Sequence, residues 1–474
     1  QPLLNNRQTI KLFERLINMK IIIVGGGKVG RATAKHLSGE GHDIVLVDKN
    51  YDRIQHISDR LDIMCVKGNC LKSGVLLSAG ASSADLIIAT TSSDEINMLC
   101  CLTAKRLGVK HTIARVRDPE YSEDLTTLKK ELGLDMIINP EQEAAGEIAR
   151  ILHFPTAINV ETFINGKVEI VSFRIKDDGI LNGQSISSIM SKVKLSLVFC
   201  AVVHNGEVII PDGNYVAHTG DLFYVIGRPT EIYKFFKTIK RGTSSSKSAL
   251  IVGGGRIAYY LCSFLTKVGI KVKIIEIDKT RCLELNELLD DCVIINGDGS
   301  DTEILDEEDI SSFSSVVTIT GRDEENLFIA LYASKAGVPK VIAKSNRLSY
   351  GGIIESLGVD STISPKDVTA AQIIRFARAL NNSLGHNNLQ TLYRIVDGKA
   401  EALEFIVNEK TLYTGVPFKD IKFKKNFIVA AIERKGDIII PSGNDCLYDG
   451  DSVIIVCKNS KIVELNSVFE NGGR

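Results

Sequence analysis

The sequence predicts an α/β chain made of two tandem copies of a large parallel-sheet lobe, each followed by a small α+β lobe. Three observations carry that expectation. An apolar run ending in a glycine turn, Ile21-Ile22-Ile23-Val24-Gly25-Gly26-Gly27-Lys28-Val29-Gly30, returns in the second half as Leu250-Ile251-Val252-Gly253-Gly254-Gly255-Arg256-Ile257-Ala258. After each turn, short β-rich runs alternate with helical patterns, as in a parallel sheet covered on both faces. Each half then changes rhythm to short strands and turns that run into Ile210-Pro211-Asp212-Gly213-Asn214 or Ile440-Pro441-Ser442-Gly443-Asn444.

The elements follow in order from local pattern. In the first large lobe, strands are expected at 21–24, 43–47, 86–89 and 112–116, with a helix from about 29 to 40. The second large lobe repeats them at 249–252, 271–275, 293–295, 316–319 and 340–343. Pro140 and Pro365 suit a helix first turn, so a connecting helix leaves each large lobe there. Both small lobes end on a Gly-Asp turn and a last strand, at Gly220-Asp221 and Gly450-Asp451. The expected lobes are therefore 19–139, 140–240, 247–364 and 365–470. Residues 241–248, rich in serine, read as a flexible polar linker, and 381–388 as a local loop. The first eighteen residues have no counterpart in the second half.

Composition narrows the function. With 57 Lys and Arg against 58 Asp and Glu, the net charge of −1 gives no global reason to bind nucleic acid. The apolar runs are far shorter than the ~20 residues a bilayer span needs. Ten cysteines without a CxxC pair, and no signal-peptide pattern, read as reduced intracellular thiols without disulfides. Cys100 and Cys101 fall in a helical run where at least one should face the core. His36, His42 and His56 are expected on helix or turn surfaces.

The glycine turns carry the chemistry. A strand, a glycine turn and a helix start together make a Rossmann-like nucleotide fingerprint. Gly25 permits the tight turn, Gly27 lets backbone approach a pyrophosphate, and Gly30 lets the helix pack closely on the strand. Phosphates would lie on backbone N–H groups at the positive helix end, near Gly26, Lys28 and Val29. Asp48, closing the second strand, stands where a carboxylate meets ribose hydroxyls and disfavours a 2′-phosphate, which favours NAD over NADP. The second turn offers Gly253, Gly255, Arg256 and Ile257, with Ala258 in the third glycine position and Glu276 in the place of Asp48. Asn69 and Asp298, Thr91 with Ser92 and Thr320, and Arg115 with Arg117 against Lys344 follow at the carboxyl ends of later strands, where open α/β sheets bind ligands. The alternative is a pair of glycine turns that keep the fold without a ligand.

Other chemistry lacks its residues. The glycine loops have no GK[ST] ending, and no HExxH or clustered Cys/His spacing occurs. Tyr233 and Lys237 match a Tyr-x-x-x-Lys pattern but come after the last strand of the first small lobe, away from any nicotinamide. No acid/base pair supports the rival reading, an NAD-dependent oxidoreductase with a duplicated fold.

Taken with Asn296-Gly297-Asp298-Gly299-Ser300-Asp301, Ala114-Arg115-Val116-Arg117 and the Ile-Pro-x-Gly-Asn turns, these repeats resemble the TrkA-type subunits of bacterial Trk potassium uptake systems. That family carries tandem RCK (KTN) domains, each with an N-terminal and a C-terminal lobe. The resemblance runs from Met19 to about Leu465. It implies a non-enzymatic, cytosolic regulator, peripheral on the inner face of the membrane, that binds NAD(H) and ATP or ADP. It also implies a homo-oligomeric gating ring, a tetramer or dimer of dimers, beneath a TrkH-like potassium-translocating subunit. By matching position, residues 25–29, Asp48, Thr91, Ser92 and Arg115 would form the first site, with Arg117 reaching a terminal phosphate. Residues 253–257, Glu276, Asp298, Thr320 and Lys344 would form the second. Asn69-Cys70 departs from the usual acidic or small polar turn, and Lys344 stands where the first half has Arg115.

Overall fold

The computed structural model describes residues 18–118, 121, 129, 131–153, 158–175, 180–239, 247–346, 359, 361–383, 389–395, 399–458 and 464–470. The linker at 241–246 and the loop residues 384–388 lie outside them.

The first large lobe is a parallel sheet of β1 (Lys20–Val24), β2 (Asp43–Asp48), β3 (Met64–Lys67), β4 (Leu86–Ala89), β5 (His111–Arg115) and β6 (Met136–Ile138), in the order β3-β2-β1-β4-β5-β6. The chain reverses direction across the sheet between β1 and β4, which opens a crevice at their carboxyl ends. Helices α1 (Lys28–Gly39), α2 (Tyr51–Ser58), α3 (Ser73–Ser78) and α4 (Asp94–Arg106) cover its faces. β1 runs down the middle, and Ile21 to Val24 are buried on both sides, which is why it reads as a continuous apolar run. The sixth strand had no sequence signal, because three residues are too few to set up an alternation.

The connecting helix α5 (Pro140–His153) leads to the first small lobe. This is an antiparallel sheet of β7 (Asn159–Phe163), β8 (Val168–Arg174), β9 (Leu197–His204), β10 (Glu207–Ile209) and β11 (Leu222–Gly227), with α6 (Ile186–Val193) and α7 (Pro229–Thr238). The second large lobe repeats the parallel order with β12 (Ser248–Val252), β13 (Lys271–Glu276), β14 (Cys292–Asn296), β15 (Ser315–Thr318), β16 (Val341–Lys344) and β17 (Ser361–Ile363). Its helices are α8 (Arg256–Lys267), α9 (Lys279–Leu288), α10 (Thr302–Glu307) and α11 (Asp323–Lys335). The connecting helix α12 (Pro365–Ser383) then leads to a second antiparallel sheet of β18 (Leu389–Ile395), β19 (Ala400–Ile406), β20 (Phe427–Arg434), β21 (Asp437–Ile439) and β22 (Ser452–Lys458). Residues 381–383, expected in a loop, belong to the last turn of α12.

The connecting helices change sides. Ala144, Ala145, Ile148 and Leu152 of α5 are buried against Leu261 and Leu265 of α8, in the other half. Ala370, Ile373, Ile374 and Ala377 of α12 are buried against Ala34 and Leu37 of α1. Alanines at these positions let the helix axes approach, and each buried Ile or Leu contributes about 1.5–3 kcal/mol. Polar contacts fix the register: Gln372 Nε2 donates to Glu143 Oε2 at 2.8 Å, and Arg378 Nε to Glu40 Oε2 at 3.1 Å. The small lobes also close on one another, with Ile170, Ala201 and Ile226 meeting Ala402, Ala431 and Val456 in one apolar cluster. Lys167 pairs with Glu433 across that junction at 2.6 Å.

Cys100 and Cys101 are both buried. His42 is not on the surface: it is buried, Met19 N donates to its Nδ1 at 3.3 Å, and burial lowers its pKa. A histidine in a turn gives no sequence sign of which face it takes.

Candidate functional site

The first glycine turn is built by contacts that exclude side chains. Gly25 has φ +99°, and a Cβ there would come within 2.8 Å of the Thr90 carbonyl oxygen. A Cβ on Gly30 would lie 1.9 Å from the Gly25 carbonyl oxygen, so only glycine lets α1 settle on the turn in this arrangement. At Gly27 a Cβ would meet nothing within 4 Å. Gly27 is the N-cap of α1 and supplies no side-chain cap, unlike Asn50 and Ser93, which cap α2 and α4. The first amides of α1 therefore face open space at the positive end of the helix.

Asp48 does more than close β2. Its Oδ2 accepts from Gly26 N at 2.7 Å and its Oδ1 from Asn50 N at 2.8 Å, so the carboxylate holds the glycine turn in shape. Glu276 repeats this, accepting from Gly254 N at 2.6 Å and Asp278 N at 2.8 Å. The longer side chain preserves the contact across an Asp-to-Glu change.

A cleft of about 330 Å³ opens at the carboxyl ends of β1 and β4. Gly25, Gly27, Asp48, Asn69, Thr91, Ser92 and Arg115 line it, as expected. Gly26, Lys28, Val29 and Gly30 are not in its lining: the Gly26 amide is turned to Asp48, Lys28 is exposed, Val29 is buried, and Gly30 packs on Gly25. Arg115 lies part-buried, with Nη2 donating to the Thr91 carbonyl and Nε without a hydrogen-bond partner. Burial is the main cause of its lowered pKa, followed by Arg117. Arg117 points elsewhere: its Nη2 donates to Ser92 O at 2.9 Å, and its guanidinium lies 3.7 Å from Asp94 and 3.9 Å from Glu141, toward the second half.

The second cleft, about 590 Å³, is lined by Gly253, Gly255, Arg256, Ile257, Glu276, Asp298, Thr320 and Lys344, while Gly254, also expected there, is outside its lining with its amide turned to Glu276. Gly255 repeats Gly27, an uncapped N-cap with no atom within 4 Å of a Cβ. Lys344 has its pKa lowered, chiefly by burial.

Comparison with known proteins supplies the family. The TrkA-N domain model matches residues 21–140 and 249–365, and the TrkA-C domain model matches 402–469. The Trk system potassium uptake protein TrkA homolog 2 of Methanosarcina mazei is 32% identical over 460 residues, covering 95% of this chain and 100% of that protein. The chain belongs to the TrkA family. The Trk system potassium uptake protein TrkA of Haemophilus influenzae is 30% identical over 461 residues, covering 95% of this chain and 99% of that protein. Among solved structures, the GsuK channel bound to NAD shares the fold, with TM-score 0.62 and 19% identity over 93% of this chain and 77% of that one. The GsuK RCK domain does so with TM-score 0.61 and 19% identity, covering 93% of each chain.

Both TrkA-N matches begin in the strand before a glycine turn and end on the proline that opens a connecting helix. Within them lie residues that sequence reasoning passed over. Asn97 and Asn326 are fully buried on α4 and α11. Each accepts a backbone amide from a cleft threonine, Thr91 N at 2.8 Å or Thr320 N at 2.7 Å. The shared segments Asp94-Glu95-Ile96-Asn97 and Asp323-Glu324-Glu325-Asn326 were the available signal. Lys49 and Arg53 also line the first cleft, and Arg322, Glu325 and Glu141 the second. Glu141 belongs to α5, so the first half contributes to the second TrkA cleft. No local pattern announces that, because it depends on the exchange of connecting helices. Where the halves meet, Asn139 Nδ2 donates to the Tyr260 hydroxyl at 2.9 Å.

Proposed function

We propose that this chain is the nucleotide-responsive regulatory subunit of a potassium uptake system. It works without catalysis from the cytoplasmic face of the membrane, where it controls a TrkH-like potassium-translocating subunit. Its lobes divide at 19–139, 140–240, 247–364 and 365–470. The observation that carries this reading is a TrkA-family chain with a glycine-floored cleft in each half. Those clefts suit NAD(H) and ATP or ADP: the uncapped helix ends and the open space over Gly27 and Gly255 fit a pyrophosphate, and Asp48 and Glu276 fit ribose hydroxyls. Among the described residues, no helix is long and apolar enough to cross a membrane, which fits a peripheral subunit.

When bound, the nucleotide supplies negative charge and bulk at the helix ends. The amides of Gly25, Gly26, Gly253 and Gly254 are spent within the fold, so those of Gly27 to Val29 and of Gly255 to Ile257 hold its phosphates, and Arg115 and Lys344 offset its charge. Thr91, Ser92, Asn69, Asp298 and Thr320 orient the rest. Since α1 is covered by α12 and α8 by α5, a shift at either helix N-terminus acts on the opposite half. A ligand biases that arrangement only through its different affinity for the two states. Leu99 on α4 and Phe328 on α11, at equivalent positions, are 50% and 73% exposed. Such paired apolar residues suit assembly of copies into a ring, a tetramer or dimer of dimers.

The test is potassium flux in vesicles carrying the membrane subunit, with this chain added and NADH, ATP or ADP varied. Flux that follows the nucleotide supports the reading. Flux indifferent to the chain and to all three nucleotides overturns it.

A further inference from the structure

The two clefts are not electrical equals. Around the first stand three cations, Lys49, Arg53 and Arg115, against one carboxylate, Asp48. Around the second stand four carboxylates, Glu141, Glu276, Asp298 and Glu325. Three cations, Arg256, Arg322 and Lys344, face them, Arg322 being paired with Glu325 at 2.5 Å as Arg53 is with Asp48 at 3.8 Å in the first cleft.

The difference arises at matching places in the repeat. Directly after the ribose carboxylate the first half has Lys49 and the second has Ile277, and after the next strand's glycine the first has Asn69 and the second Asp298. Each change makes the second cleft less cationic. Glu141 then arrives from the other half's connecting helix, its carboxylate 3.9 Å from the Arg117 guanidinium, while its counterpart after the second proline, Lys366, is absent from the first cleft's lining. A cleft lined by one sign of charge concentrates ligands of the other sign. Size points the same way: about 330 Å³ against about 590 Å³. A dinucleotide needs nearly twice the room of a mononucleotide.

Resting on the nucleotide reading above, we propose that the clefts divide the ligands by charge and size, the first taking a nucleoside polyphosphate such as ATP or ADP and the second a dinucleotide such as NADH. ATP carries more negative charge on fewer atoms, which suits the small cationic cleft. NADH carries less charge on a longer frame, which the wide, acidic cleft accommodates and from which a terminal phosphate is repelled.

The glycines provide the test. Gly27 and Gly255 have ordinary backbone angles, φ −71° and −69°, and a Cβ at either meets no protein atom within 4 Å. Gly27→Val or Gly255→Val therefore leaves the fold room and fills only its own cleft. Calorimetric titration of the full chain with ATP and with NADH should show Gly27→Val weakening ATP at least about tenfold while NADH is kept, and Gly255→Val doing the reverse. The double variant Lys49→Ile with Asn69→Asp, at exposed positions, should weaken ATP by about tenfold and leave NADH unchanged. If each glycine variant weakens both ligands alike, or the pattern is inverted, the division is wrong although nucleotides bind. If the unaltered chain binds neither ligand, the nucleotide reading falls and the division with it.

Discussion

Asn97 Nδ2 donates to the Arg115 carbonyl oxygen at 2.9 Å while its Oδ1 receives the Thr91 backbone amide at 2.8 Å, so one buried side chain ties the ends of β4 and β5 together beside the first cleft. Asn326 does the same between Thr320 and Lys344, at 2.7 Å from Thr320 N and 3.1 Å from the Lys344 carbonyl. Asn97→Ala leaves backbone groups without partners in a dry place. It should lower unfolding stability by about 2–3 kcal/mol in denaturant titrations and weaken ligand binding in the first cleft more than in the second.

The third glycine of the first turn should be far less tolerant than its counterpart. Gly30→Ala brings a Cβ to 1.9 Å from a backbone oxygen, which no rotamer change relieves. Position 258 already holds alanine, so Ala258→Gly should lose only about 1 kcal/mol of helix stability. Thermal unfolding of the two variants, side by side, checks this.

The exchange of connecting helices makes a residue late in the sequence structural for the first lobe. Ile373→Ala, in the cluster with Leu37 and Ala34, should destabilise by about 2–5 kcal/mol. Hydrogen exchange should show the loss of protection in α1, within residues 28–39, and not only in α12.

Glu169 gives a pH dependence. Burial raises its pKa to about 7, opposed by Arg150. A folded-state pKa above the unfolded value means the native state holds the proton longer, so this group makes stability fall as pH rises from about 4.5 to about 7. Glu169→Gln should be roughly 1–3 kcal/mol more stable than the unaltered chain at pH 8 and nearly equal to it at pH 4. Melting temperatures across that range decide it.

Arg117 sits between Asp94 and Glu141, at the boundary of the halves. Arg117→Ala should leave the fold intact and reduce the nucleotide dependence of potassium flux. Unchanged flux control together with unchanged nucleotide affinity would remove it from the switch.

The sequence revealed what repeats locally. Two glycine turns and their following acids located both clefts, and of the residues expected in the second cleft all but Gly254 line it. Arg117 was legible as a cation of the site but not in its direction, which is set by Asp94 and Glu141 on other elements. Lys49 and Arg53 were missed because a charged residue after a strand reads as solvated surface until the cleft beside it is seen. The short strands at 136–138 and 361–363 owe their pairing to neighbours distant in sequence. The exchange of α5 and α12 left no trace in either helix pattern, since an apolar face does not name its partner.

That exchange bears on how the molecule can be taken apart. Each half lends the other the cover for its first helix, so a chain severed at the boundary yields two pieces with bare greasy surfaces. Such fragments should be found as a reassociated pair or as aggregate, and seldom as separate monomers. The fusion also guarantees that unlike halves always meet, which a protein assembled from identical short subunits could not ensure.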